Sequence, residues 1–163
     1  MNRLYLLRHG VAVPHGTPGI EDDLRPLTRA GEKLMRQAAE GLLRLGLELD
    51  RIVTSPLPRA RRTAEIVAKV LEAEDILEES DALHADRDAA SIVDWVHSRP
   101  ESRLMLVGHD PAISELVGLL VGAPGPPLCQ LRKGGIAALR DHPRGGLMLD
   151  WLARPKLLRK LAR

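Results

Sequence analysis

The sequence predicts an α/β fold, a three-layer sandwich with a mostly parallel central sheet flanked by helices and antiparallel strands at its C-terminal edge. Three observations predict it. Short apolar runs alternate with segments whose apolar residues recur at helical spacing, as in strands joined by crossover helices. The runs "LYLL" and "LMLV" are continuously apolar, as expected of strands covered on both faces. The alternation ends at "GAPGPPLC", after which two strand-like runs are joined by a tight turn. At 163 residues and 44% apolar content, the chain reads as one domain, 1–163, able to bury a core of its own.

The elements follow in order. Arg3 to Leu7 is the first strand, and the Gly-, Pro- and Asp-rich stretch after it, "VAVPHGTPGIEDDLRPLT", is a long loop over the top of the fold. Thr28 caps a helix whose apolar residues Leu34, Met35, Ala38, Leu42 and Leu45 keep helical spacing until Gly46. "RIVTSP" is a short strand closed by Pro56. In "PRARRTAEIVAKVLE", Thr63, Val67, Val70 and Leu71 share one helix face. "DAASIVDWVHS" is a further helix and "SRLMLVGHD" a strand. "PAISELVGLLV" is a helix, with Asp110 expected at its cap and Pro111 at its first position. "GIAALR" and "LMLDWLA", separated by "DHPRGG", form a hairpin.

Composition narrows the function classes. Of the 24 Lys and Arg, five are lysine and the rest arginine, yet the formal net charge is only +2, so arginines must be judged by position. Tyr5, Trp95 and Trp151 are the whole aromatic set, which leaves no stacking platform for nucleic acid. No stretch approaches the roughly eighteen apolar residues needed to cross a bilayer, and no long apolar signal core opens the chain. Cys129 is the only cysteine, which fits a reducing compartment. The expectation is a cytoplasmic protein with no nucleic-acid partner and no membrane attachment. The basic tail "RPKLLRKLAR" is expected to lay Leu157, Leu158 and Leu161 on the domain.

The informative charges lie at strand ends. "LYLL" runs into Arg8-His9-Gly10, and "LMLV" runs into Gly108-His109-Asp110. In open α/β sheets, ligands bind beyond the carboxyl ends of the strands, so neighbouring strands would bring the two histidines together. Arg59, Arg61 and Arg62 crowd the first turn of the intervening helix. A helix N-terminus carries partial positive charge, so three cations there suggest an anion nearby. Arg61 and Arg62 are expected to face solvent. His84, His97 and His142 show no close metal-ligand spacing, and neither a metal nor a cofactor is expected.

"LLRHG", "SPLPRARRTA" and "LMLVGHDP", in this order and approximate spacing, resemble the histidine phosphatase superfamily, whose fold is called phosphoglycerate mutase-like. The short length, "DDLRPLTRAG" and "LDWLARPKLL" are similar to the small branch that contains the SixA phosphohistidine phosphatases. The resemblance implies that His9 is the nucleophile and that Arg8, Arg59 and His109 hold the phosphoryl oxygens. Imidazole chemistry agrees, because a reference pKa near 6.5 leaves a neutral, nucleophilic fraction without an activating base. Gly10 is expected to let the backbone turn beside the phosphate. Arg25, in "RPLT", either lines the site or braces the loop, and His15 is expected to be exposed.

The general acid departs from the family pattern. "LEESDALHAD" offers no glutamate where mutases and small-molecule phosphatases of the superfamily supply one. Asp110, which follows His109, and Asp86 are the two candidates, and Asp110 also suits a helix cap. A phosphohistidine protonated on its other ring nitrogen departs as neutral imidazole, whereas an alkoxide needs a proton. The expected substrate is therefore phosphohistidine on a signalling protein, with small phosphate esters or nucleotides, or a phosphate-binding module with little turnover, as alternatives. Partners are thus a phosphorylated protein domain or a small phosphorylated molecule. The short chain leaves no room for a large cap domain, so an open site is expected.

Overall fold

The computed structural model describes residues Met1–Arg163 and has six strands and five α-helices. The strands are β1 (Arg3–Arg8), β2 (Arg51–Thr54), β3 (Leu77–Glu79), β4 (Arg103–Gly108), β5 (Ile136–Asp141) and β6 (Leu147–Ala153). The helices are α1 (Arg29–Arg44), α2 (Pro58–Val70), α3 (Ala89–His97), α4 (Ala112–Leu120) and α5 (Pro155–Leu161). The sheet order is β3-β2-β4-β1-β5-β6, with β1 to β4 mutually parallel and the β5-β6 hairpin antiparallel at one edge. This is the expected α/β sandwich.

Strand alternation assigns each apolar side chain to one of two cores. Tyr5, Leu7, Ile52, Met105, Val107, Ile136 and Ala138 pack with α1, α2 and Leu158 of α5. Leu4, Leu6, Val53, Leu104, Leu106, Ala137 and Leu139 pack with α3 and α4. The central strands thus face apolar layers on both sides, and each buried aliphatic side chain contributes roughly 1.5–3 kcal/mol against exposure.

Thr28 caps α1 by accepting from the Gly31 amide at 2.9 Å, as the sequence predicts. Two local expectations need correction. Asp110 does not cap α4: Pro111 holds that position, and the aspartate turns toward Arg8 and Ser114. Of the tail leucines only Leu158 is buried, because α5 crosses α1 where a Cβ on Gly41 would lie 2.1 Å from the Leu158 carbonyl oxygen. Leu157 and Leu161 remain exposed. Strand β3 lies at the sheet edge in a segment that the apolar pattern leaves unassigned.

Candidate active site

The β1–β4 pairing sets Arg8 opposite Gly108, so the residues that follow, His9 and His109, emerge side by side from the carboxyl edge of the sheet. Their ring centroids are 5.2 Å apart, and both are buried. The His9 amide donates to the Gly108 carbonyl at 3.1 Å, locking the two strand ends together.

Each imidazole has one nitrogen fixed by a neighbour. His9 Nδ1 lies 2.8 Å from the Gly10 carbonyl oxygen. A carbonyl only accepts, so Nδ1 carries the proton and the Nε2 lone pair is free. His109 Nε2 lies 2.8 Å from Ser55 Oγ, which also accepts from the Leu57 amide at 3.3 Å. The Leu57 amide takes one lone pair of Ser55 Oγ and leaves its hydroxyl proton available to Nε2; in the tautomer that accepts it, His109 Nδ1–H is the outward donor.

The electrostatics favour neutral rings. Burial pushes His9 down to about 4, and Arg59, Arg8 and Lys133 push the same way against the Gly10 hydrogen bond. Burial pushes His109 down to about 3, helped by the charges of His9, Arg59, His84 and Arg25.

Two arginines complete the cluster. Arg8 NH1 donates to the Leu131 carbonyl at 2.7 Å and lies 3.3 Å from Asp110 Oδ2. Arg59, from the first turn of α2, is 3% exposed and donates from NH1 to the Asp22 carbonyl at 3.0 Å. Arg8 Nε, Arg59 Nε and His109 Nδ1 are buried without a hydrogen-bond partner. Unsatisfied buried donors cost about 1–3 kcal/mol each. Three in one cluster suit a ligand rich in acceptor oxygens and negative charge, such as a phosphoryl group.

A family model of the histidine phosphatase superfamily (branch 1) matches residues 4–84. An uncharacterized protein of Picosynechococcus is 37% identical over 142 residues, 85% of this chain and 84% of that one. The chain belongs to the histidine phosphatase superfamily. Phosphohistidine phosphatase SixA of Escherichia coli is 24% identical over 156 residues, 94% of each chain. A structure of the protein histidine phosphatase SixA complexed with tungstate matches with a TM-score of 0.83 at 24% identity, covering 96% of this chain and 99% of that one. A mycobacterial glucosyl-3-phosphoglycerate phosphatase matches with a TM-score of 0.71 at 21% identity, covering 94% and 100%. The fold is the phosphoglycerate mutase-like fold. The superfamily match ends at His84, so His109 enters the site from beyond it, carried there by β4.

The structure thus brings Arg8, His9, Arg59 and His109 together and sorts the remaining candidates. Gly10 is needed for space: its φ is not in the left-handed region, and a Cβ there would lie 2.6 Å from Met35 Cγ. The Gly10 amide donates to Thr63 Oγ1 at 2.9 Å, and Thr63 in turn bonds the Arg59 carbonyl, so α2 is registered against the β1 end. Arg25 braces the loop, donating to Asp22 Oδ1 at 2.6 Å and to the Val13 carbonyl at 2.8 Å. His15 is exposed and pairs with Asp22.

Arg61 and Arg62 do not serve the site. They pair with Glu65, Glu79 and Glu32, and of the three only Arg59 is buried at the strand ends. Asp86 pairs with His84 at 2.9 Å. Sequence reasoning missed Ser55, Thr63 and Lys133. Ser55 and Thr63 are the polar positions of "TSP" and "RRTA", beside elements that were recognised, and Lys133 lies in the Gly-flanked turn before β5.

Proposed function

We propose that the protein is a phosphatase that uses His9 as its nucleophile and acts on phosphohistidine carried by a signalling protein. The observation that carries this reading is the free Nε2 of neutral His9 beside three unpartnered buried donors on Arg8, Arg59 and His109. His9 Nε2 attacks phosphorus while the substrate P–N bond breaks on the opposite side. The substrate imidazole, protonated on its other nitrogen, leaves as a neutral ring. Arg8, Arg59 and His109 Nδ1–H hold the non-bridging oxygens, and Lys133 adds to the positive field. Water then attacks the phosphorus of phospho-His9. The N–P bond breaks, His9 recovers its lone pair, and the proton of the water passes to solvent as inorganic phosphate leaves.

The cations of the chain meet the charge of the phosphoryl group, so turnover is expected to survive a chelator. The name of SixA supports the protein phosphohistidine substrate, and that of the mycobacterial relative shows that a phosphate ester is within the reach of this fold. Phosphate release from a phosphohistidine-bearing phosphotransfer domain and from an aryl phosphate, side by side, tests the reading. The expected result is a preference for the protein substrate and loss of both activities in His9→Ala. Preference for the ester would overturn the substrate class, and activity surviving in His9→Ala would overturn the nucleophile.

A further inference from the structure

Neither aspartate proposed from the sequence is free to give a proton to a leaving group. Asp110 is held by Arg8 at 3.3 Å and accepts from Ser114 Oγ. Asp86 is exposed and turned to His84. What that second pair leaves available is the far nitrogen of His84.

The fold carries His84 to the edge of the site. The Ser80 amide donates to the Thr54 carbonyl at 2.9 Å, extending the β2–β3 ladder to the carboxyl end of the sheet. A single 3-10 turn, Asp81–Leu83, follows and is anchored by Leu83, which is 2% exposed and sits in the core with Val53 and Leu106. His84 comes next, on the rim above the strand ends that carry Ser55 and His109, and its side chain is 27% exposed. His84 Nδ1 lies 2.9 Å from Asp86 Oδ1. A carboxylate only accepts, so Nδ1 carries hydrogen and the ring is oriented with Nε2 unengaged by Asp86.

We propose that His84, oriented by Asp86, is the proton-transfer residue of this site and extends its substrates to phosphate esters with poor leaving groups. The proposal rests on His9 as nucleophile. As the bond from His9 Nε2 to phosphorus forms, the bond to the ester oxygen breaks, and protonated His84 gives its Nε2 proton to that oxygen. In the second half, neutral His84 takes a proton from water as the water oxygen attacks the phosphorus of phospho-His9, restoring both rings. Asp86 is the positioning residue. The other charged neighbours of this turn are Asp81, whose carbonyl accepts from Arg87 Nε at 3.3 Å, and Arg87 itself, 4.0 Å from Asp86.

The test is the dependence of rate on leaving group across substituted phenyl phosphates and an alkyl phosphate, for the full chain and for His84→Gln. The variant is expected to lose about a hundredfold in kcat on the alkyl ester and little on a nitrophenyl ester, whose leaving group departs without a proton. Asp86→Asn is expected to show a smaller loss of the same slope. An equal loss on all esters would overturn the proposal in favour of a structural role, and an unchanged slope would overturn it outright. His9→Ala on the nitrophenyl ester separates the two failures. Survival of its activity removes the nucleophile reading itself, whereas its loss beside an unchanged His84→Gln slope removes only the role of His84.

Discussion

Arg8 and Asp110 face each other across the β1–β4 seam, NH1 to Oδ2 at 3.3 Å, at the point where both strands end. The contact belongs to a closed circuit. Asp110 Oδ1 accepts from Ser114 Oγ, Ser114 Oγ accepts from the Leu131 amide at 3.0 Å, and the Leu131 carbonyl accepts from Arg8 NH1 at 2.7 Å. The circuit fixes one face of the Arg8 guanidinium and leaves its buried Nε unpartnered. The aspartate after the second histidine therefore holds an arginine in place.

Asp110→Asn keeps an acceptor for Ser114 and removes the charge beside Arg8. A positioning role predicts a loss in kcat/KM of about tenfold, equal for good and poor leaving groups. A proton-donating role predicts about a hundredfold or more, concentrated on poor ones. Steady-state rates on an aryl and an alkyl phosphate separate the two. Asp110→Ala also unpairs a mostly buried arginine and is expected to lower stability by about 1–3 kcal/mol in denaturant unfolding.

The depressed histidines make stability depend on acid. In the unfolded chain both titrate near 6.5, whereas in the folded chain burial holds His9 at about 4 and His109 at about 3. Above 6.5 both states are neutral and stability is complete. Below it the unfolded chain binds protons that the native state refuses, so stability falls until pH passes the folded values. By linkage the loss from His9 alone is on the order of 3 kcal/mol at pH 4. Denaturant unfolding at pH 7.5, 6, 5 and 4 is expected to show the decline, flatter in His9→Ala. A flat profile in the unsubstituted protein would contradict the buried, neutral pair.

How much of this was legible depends on where each residue finds its partner. β1 and β4 were readable because their apolar runs stop abruptly at Arg8-His9 and Gly108-His109, and their adjacency turned two local motifs into one site. β3 was not, because Leu77–Glu79 is only three residues long, two of them glutamates, and becomes a strand by pairing with β2 at an edge. The crowding of Arg61 and Arg62 with Arg59 suggested a nearby anion, but the carboxylates of Arg61 and Arg62 include Glu32 on α1 and Glu79 on β3, far away in sequence. Such exposed pairs are worth about 0–1 kcal/mol each. His84 was invisible as part of the site because only the Ser80–Thr54 bond and the burial of Leu83 bring it to the rim.

The final prediction concerns the loop that holds Arg59. Arg59 NH1 donates to the Asp22 carbonyl at 3.0 Å, while the Asp22 carboxylate is bound by Arg25 and His15, which hold its pKa down at about 2. Arg25 also ties Asp22 to Val13, so the loop is braced around the residue that touches Arg59. With Arg59 proposed as a phosphate ligand, Arg59→Ala is expected to cost about a hundredfold or more in kcat, as for loss of one preorganised donor. Arg25→Ala removes only the brace. The loop then pays ordering entropy on binding, so KM should rise several-fold while kcat changes little. Measuring both variants on one aryl phosphate decides it: a kcat loss in Arg25→Ala as large as in Arg59→Ala would move Arg25 from the loop into the phosphate clamp.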